Sequence, residues 1–318
     1  MIDPTDPSLS SGARRLGEDR GTTPSAVLRL VRPRQWIKNL LVFAGPAAAG
    51  VLDEPGEIAR TSVVFVAFCL AAGGVYCLND AADAAADRHH PTKGQRPVAA
   101  GEISARTARL LGLGLIASAI GLGSFTGSWE VAGIIAAYLA LTVGYTYVFK
   151  HIAVVDIVAV TCGFVIRAVA GVVGTDIPLS DWYLIVASFG SLFLVAGKRS
   201  TELRLGVGAR STRPALASYS NAFLQYVRAV SSGVVLLAYC LWAFERAEVA
   251  DTSIPWFQLS IVPFVLLVLR YAMVHEANEY EGPEDIVLGD RPLQVIGLVW
   301  AVVFACGVYL GDAPPLTG

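Results

Sequence analysis

Charge is scarce in this chain. Asp, Glu, Lys and Arg make up 16% of its 318 residues, whereas soluble domains carry about 25%. So little polar surface cannot cover a water-soluble globule of this size, and the dominance of apolar residues excludes an intrinsically disordered chain. Cys69, Cys77, Cys162, Cys240 and Cys306 all fall in apolar runs, their number is odd, and no metal-ligand spacing appears among them. The thiols therefore read as small hydrophobes rather than as a disulfide framework or a zinc site. There is no P-loop, dinucleotide-binding fingerprint, Ser/His/Asp pattern or nucleic-acid module, so no nucleic-acid partner is expected. Residues 1–25 lack an apolar stretch, which predicts a disordered cytosolic tail rather than a cleaved signal peptide. A single transmembrane catalytic domain is expected over residues 26–318.

What the chain does have is apolar length. The hydrophobic set makes up 54% of it, with 31 glycines besides. Crossing a hydrocarbon core of about 30 Å takes roughly 20 apolar residues as helix. Nine windows meet or approach that length: about 36–53, 60–79, 106–126, 130–149, 153–174, 182–197, 225–244, 255–274 and 293–311. The first and sixth are short, and suit tilted or partly re-entrant segments. None alternates as a barrel strand would. The expected fold class is all-α, a polytopic membrane protein with nine transmembrane helices. With the N-terminus placed in the cytoplasm, 20 of the 24 Lys and Arg residues lie in inside segments. Only Arg60 and Arg246 fall outside, while Arg167 and Arg270 lie within spans. That asymmetry predicts a cytoplasmic N-terminus and puts the polar chemistry on the cytoplasmic face of the cell membrane.

The densest polar segment runs from Asn79 to Pro97, after the second span. As a helix, Asn79, Asp83 and Asp87 recur every four residues on one stripe, with Asp80 flanking it. Carboxylates stacked four apart repel, so this stripe needs a cation. Hard oxygen ligands with little but alanine between them suit Mg²⁺, which completes its shell with water and phosphate. Arg88, Lys93 and Arg96 follow at once, and carboxylates, metal and cations together suggest a pyrophosphate site. A solvated acidic helix end is the plainer alternative, but it leaves the basic loop without a reason.

Two further clusters have interfacial alternatives. Lys198, Arg199 and Glu202 end the sixth span, with Lys198 and Glu202 four apart so that both can face one pocket. Ordinary positive-inside flanking would also explain these cations. Arg34 and Lys38 flank Trp36 near the start, either as a membrane anchor or as ligands of a lipid phosphate. Arg167 sits inside the fifth span, where an ionisable group is expensive and so marks a functional position. Asp156 is its candidate partner, although eleven residues of separation favour separate roles. Tyr145 and Lys150 close the fourth span. Glu284, Asp285 and Asp290 in the last inside loop can pair with cations or bind sugar hydroxyls.

The spacing Asn79-x-x-x-Asp83-x-x-x-Asp87, opening a basic loop after span two, resembles the UbiA-type intramembrane prenyltransferases. The segments Arg32–Asn39, Asn79–Pro97, Ile166–Ala168, Gly197–Arg199, Trp242–Arg246 and Pro283–Ile286 are closer to one branch, the decaprenyl-phosphate phosphoribosyltransferases. Other members carry a second aspartate-rich motif where this chain has Lys198, Arg199 and Glu202. Exchanging a carboxylate for cations suits a site crowded with phosphates.

The resemblance implies transfer of 5-phosphoribosyl from phosphoribosyl pyrophosphate to decaprenyl phosphate, as a precursor step for cell-wall arabinan. It also implies Mg²⁺ on Asn79, Asp83 and Asp87, with Asp80, Asp83, Asp87 and Lys198 as catalytic residues. Substrate binding would fall to Arg34, Lys38, Arg88, Lys93, Arg96, Tyr145, Lys150, Arg167, Arg199 and Glu202. Whether Lys198 and Arg199 take the donor 5-phosphate or the lipid phosphate stays open. A prenyl transfer from a polyprenyl diphosphate to an aromatic acceptor is the alternative. A transporter fits less well, since charge gathers at one face instead of the midplane. Homo-oligomers suit a glycine-rich bundle, but nothing in the sequence counts subunits.

Overall fold

The computed structural model describes residues 23–89, 92–126, 128–205, 214–250, 252–277 and 282–311. Most of the expected tail, with His90, Pro91, Arg210, Arg213 and Asp251, lies outside the described residues. Every regular element among those described is helical. Helix α1 is Pro24–Val31, which overlaps the end of the expected tail. A 3-10 segment, Pro33–Phe43, runs into the short helix α2, Ala44–Ala49. Then follow α3 (Pro55–Asp87), α4 (Ala105–Ser124), α5 (Trp129–Tyr147), α6 (Val155–Gly174) and α7 (Asp181–Arg204). The chain continues through α8 (Asn221–Val249), α9 (Trp256–Ala277), α10 (Pro283–Gly289) and α11 (Arg291–Leu310).

Local chemistry sets where these helices begin. Ser104, Ser128, Ser180, Ser220 and Asp290 each accept a hydrogen bond from a backbone N–H in the first turn of the helix that follows. Such caps satisfy donors that a helix start would otherwise leave unpaired. At 33 residues, α3 is about 50 Å long and outruns a hydrocarbon core of about 30 Å. It therefore has the length to carry the acidic Asp80–Asp87 end beyond the apolar slab.

Seven of the described helices are long and apolar enough to cross a membrane: α3, α4, α5, α6, α8, α9 and α11. The other two expected windows differ in kind. Window 182–197 lies within the 24-residue α7, whose last turns carry Lys198, Arg199, Glu202 and Arg204. Window 36–53 is not one continuous helix: it is the 3-10 segment, α2 and a turn. Runs of 3-10 helix beyond three or four residues are uncommon, and Pro46, which has no N–H to donate, interrupts regular α-helical hydrogen bonding within this window.

Two aromatic-rich clusters hold the bundle. Val42, Val64, Phe68, Val131, Ile135 and Tyr138 join the 3-10 segment to α3 and α5. Tyr239, Trp242, Phe257 and Phe264 join α8 to α9, with Trp300 and Phe304 of α11 packed against them. Glycine sets the closest approaches. A Cβ on Gly171 of α6 would lie 1.8 Å from the Val42 carbonyl oxygen, so only glycine lets α6 seat against the 3-10 segment. Large apolar side chains remain outward on α4, α9 and α11, among them Leu113, Val262, Leu269, Leu298 and Val302, as lipid-facing surfaces require.

Candidate active site

The acidic end of α3 is folded onto two arginines. Asp80 is 2% exposed and accepts from Arg32 Nη2 at 2.6 Å and Arg96 Nη1 at 3.3 Å. Arg96 also donates to Asp87 Oδ2 at 2.7 Å, so one guanidinium bridges the two carboxylates. Arg32 reaches Asp80 from a backbone in the left-handed region, φ 53°, at the junction of α1 and the 3-10 segment. That conformation costs a non-glycine residue roughly 1–2 kcal/mol. The Arg32 guanidinium also lies over the Tyr76 ring, 4.7 Å from its centre.

The expected single stripe is thereby corrected. Asp83 is exposed, Asn79 is half-buried, and Asp87 is buried with Asp80. Helical geometry accounts for the pairing of Asp80 with Asp87, since the seven residues from one to the other fall about 20° short of two whole turns. Among the described residues, no three carboxylate, His or Cys side chains converge as a metal cage.

The donors nonetheless suit a hard divalent ion with few protein ligands. Asp80 Oδ2 is buried with no hydrogen-bond partner among the described residues. Asp83 has no ion-pair partner among them. Mg²⁺ usually binds through one or two carboxylates and fills its shell with water and phosphate.

Beside this cluster lies a cavity of about 230 Å³. Lys38, Lys198 and Arg167 line it with Tyr76, Tyr138 and Tyr145, and Leu141, Val160, Phe164 and Leu194 supply apolar wall. Tyr76 connects the two regions, since it stacks under Arg32 and faces the cavity. Arg167 is held entirely by neutral groups: Nε donates to Asn39 Oδ1 at 2.7 Å, Nη1 to the Gly163 carbonyl at 2.6 Å and Nη2 to the Tyr138 hydroxyl at 2.8 Å. Its guanidinium also sits 4.5 Å from the Tyr138 ring centre. No carboxylate among the described residues neutralises this charge, which leaves the cavity attractive to an anion.

Lys38 Nζ donates to Gln35 Oε1 at 2.5 Å and stands 3.4 Å from Glu284 Oε1. Burial raises the Glu284 carboxyl, but its backbone N–H and the charges of Lys38 and Lys198 outweigh that and hold it below the ordinary carboxylate range.

Arg199 is a different kind of residue from the phosphate ligand expected. It is 2% exposed, and each guanidinium nitrogen has a protein partner. Nε donates to Asp156 Oδ2 at 2.9 Å, Nη1 to Glu202 Oε2 at 2.8 Å, and Nη2 to the Tyr145 hydroxyl at 3.2 Å. Asp156 also accepts from Tyr219, whose hydroxyl in turn accepts from the Val154 N–H at 2.6 Å. Asp156 is thus the partner of Arg199 and not of Arg167. Helical geometry separates Lys198 from its neighbour by about 100°, which sends one to the cavity and the other into the protein. Glu202 goes with Arg199, away from the pocket expected to be shared with Lys198.

The remaining expected residues scatter. Arg34 and Arg88 are exposed, and Arg88 Nε reaches the Ala99 carbonyl at 3.4 Å. Lys93 is half-buried in the 3-10 turn Lys93–Gln95. Lys150 lies in the turn Phe149–His151 and does not line the cavity. Asp290 pairs with Arg270 at 2.7 Å and caps α11.

Sequence reasoning missed Tyr76 and Tyr138, and it singled out Arg32 and Asn39 only as part of the interfacial segment Arg32–Asn39. Helical periodicity carried some signal. Tyr76 precedes Asp80 by one turn, and Tyr138 precedes Tyr145 by two. Nothing local announces that Asn39 meets Arg167, 128 positions away.

This arrangement, a helical bundle with an acidic helix end beside a cation-lined apolar cavity, suits an intramembrane transferase of phosphorylated substrates. The UbiA prenyltransferase family profile matches residues 40–285, and the chain belongs to that family. It is a multi-pass membrane protein. It is 40% identical to the decaprenyl-phosphate phosphoribosyltransferase of Corynebacterium glutamicum over 289 residues, 89% of this chain and 87% of that one. It is 42% identical to the protein of the same name from Mycobacterium tuberculosis over 311 residues, 93% of this chain and 100% of that one. The fold is that of a UbiA homologue from Archaeoglobus fulgidus bound to DMAPP and Mg²⁺, with TM-score 0.67, 15% identity and coverage of 89% and 99%.

Proposed function

We propose that this chain transfers the 5-phosphoribosyl group of phosphoribosyl pyrophosphate to decaprenyl phosphate, releasing pyrophosphate, for lipid-linked precursors of the cell wall. The observation that carries the reading is the cavity where Lys38, Arg167 and Lys198 converge, with the Glu284 carboxylate against Lys38. A prenyl diphosphate brings one anionic group. A phosphoribosyl donor with a lipid phosphate brings three, so two phosphates are left for the cavity's cations when the diphosphate sits at the acidic end of α3. The names of its relatives at 40–42% identity point to the same substrates.

Asp83 with Asp80 or Asp87, supported by Asn79, would hold Mg²⁺, which would supply positive charge to the leaving diphosphate. Arg32 and Arg96 fix the carboxylates and add charge beside them. Lys38, Lys198 and Arg167 hold the donor 5-phosphate and the acceptor phosphate. As the C1–O bond to diphosphate breaks, an oxygen of the lipid phosphate forms the new bond from the opposite face, giving a β-linked product from an α-linked donor. That oxygen is already anionic near neutral pH, so the site needs no strong general base, and alignment and electrostatics carry the rate. The apolar wall of Leu141, Val160, Phe164 and Leu194 receives the first isoprene units of the acceptor.

Nine spans with a cytoplasmic N-terminus complete the reading, within one catalytic unit over residues 26–318 of a cell-membrane protein. Helix α7, about 36 Å long, would supply one of the two further spans, and the 3-10 segment with α2 the other, tilted or partly re-entrant. The active site then faces the cytoplasm, where its soluble donor is found.

The test is transfer itself. Purified protein receives labelled phosphoribosyl pyrophosphate, decaprenyl phosphate and Mg²⁺, and label passes into the organic phase. If label stays aqueous while a polyprenyl diphosphate alkylates an aromatic acceptor, the alternative prenyl transfer replaces this reading.

A further inference from the structure

Glu284 is out of place beside an anion-binding cavity. Its carboxylate lies 3.4 Å from Lys38 Nζ, and Lys38 and Lys198 both act on it electrostatically. Those two lysines line the cavity, as does its neighbour Pro283. A negative charge here weakens every phosphate contact nearby, so it needs an offsetting use. Its geometry is also unfinished. Oε1 faces Lys38, whereas Oε2 is buried and has no hydrogen-bond partner among the described residues. A buried carboxylate oxygen without a donor is costly unless a ligand supplies one.

The carboxylate is also placed by its backbone. Gly282 caps the short helix α10, and a Cβ on it would lie 2.8 Å from Glu284 Cδ and 2.9 Å from Oε2. The space that seats the carboxylate is therefore the space glycine leaves empty.

A ligand that carries anions and also hydroxyl donors would satisfy both the cavity's cations and the carboxylate beside it. Phosphate oxygens meet the cations, and neighbouring sugar hydroxyls donate to the carboxylate, as acidic side chains do to ribose elsewhere. A prenyl diphosphate has no hydroxyl to offer. We infer that Glu284 is a specificity-determining residue that accepts hydrogen bonds from the ribose hydroxyls of the phosphoribosyl donor, which makes this site select a sugar phosphate over a prenyl diphosphate. The inference rests on the proposed donor and deepens that reading. Gly282 is a positioning residue that acts through Glu284.

Titration of the detergent-solubilised full chain with Mg²⁺ separates the contributions, using phosphoribosyl pyrophosphate and inorganic pyrophosphate as paired probes. In Glu284→Gln, affinity for phosphoribosyl pyrophosphate should fall about 10- to 100-fold, the scale of lost hydrogen bonds to a charged group. Affinity for pyrophosphate, which has no sugar, should hold or tighten. Gly282→Ala should shift the same ratio in the same direction by a smaller factor. If both probes tighten together in Glu284→Gln, the carboxylate is only a counter-ion for the lysines and the inference is overturned. Unchanged affinities for both would overturn it equally. Failure of the wild-type chain to bind phosphoribosyl pyrophosphate would instead strike the proposed donor, and that result is read before any variant is made.

Discussion

Removing the Arg199 guanidinium distinguishes a framework residue from a phosphate ligand. In Arg199→Met the side chain keeps comparable length, but Asp156, 1% exposed, loses the cation at 2.9 Å. Glu202 loses its partner at 2.8 Å, and the Tyr145 hydroxyl loses a donor. Breaking a buried ion pair from one side costs about 3–5 kcal/mol, because an uncompensated charge is left behind. At roughly 2–4 °C per kcal/mol for a chain of 150–250 residues, the melting temperature should fall on the order of 10 °C. Most of that loss should return in Asp156→Asn with Arg199→Met, since the double variant no longer buries the Asp156 charge. The assay is thermal unfolding in detergent followed by size-exclusion fluorescence, beside phosphoribosyl pyrophosphate titration at a temperature where each variant is folded. An Arg199→Met protein that melts like wild type, yet loses donor affinity tenfold or more, would refute the structural assignment and restore Arg199 to the phosphates.

The other predictions concern the acidic end, the embedded cation and the packing. Asp83→Ala and Asp87→Ala should each abolish transfer while the protein still elutes as a folded species, and chelation of divalent ions should stop the wild type until Mg²⁺ is restored. Transfer that survives in both variants would remove these residues from the metal site. Arg167→Gln keeps polar contacts available to Asn39 and Tyr138 but removes the charge, so affinity for anionic substrate should fall at least about tenfold with little change in melting temperature. Gly171→Ala forces a Cβ against the Val42 carbonyl, a backbone atom that cannot swing away. It should destabilise by about 1–3 kcal/mol or more and lower expression of folded protein, as fluorescence-detected chromatography would show.

Individual residues mark how far the sequence could be read. Lys38, Lys198, Arg167 and Tyr145 were recognisable from residue type and position at the ends or interiors of apolar spans, and all four line one cavity. The acidic segment was recognisable too, but a four-residue repeat could not say which carboxylate would be buried. That depended on Arg32 and Arg96 folding back onto Asp80 and Asp87. Arg199 looked like a second phosphate cation because its partners, Asp156 and Tyr145, come from other helices. Glu284 was visible as a loop acid able either to pair with a cation or to bind a sugar, and only its place beside Lys38 and its unpartnered oxygen favour one use over the other.

Composition and periodicity alone determined that this chain is helical and rich in spans of membrane length. These properties follow from the free energy of transferring side chains out of water, which each segment obeys independently of its neighbours. Tertiary structure alone decided which charges neutralise one another and which are left for a ligand. Electrostatic pairing acts over a few ångströms between residues as far apart as Asn39 and Arg167, and a linear pattern does not encode that proximity.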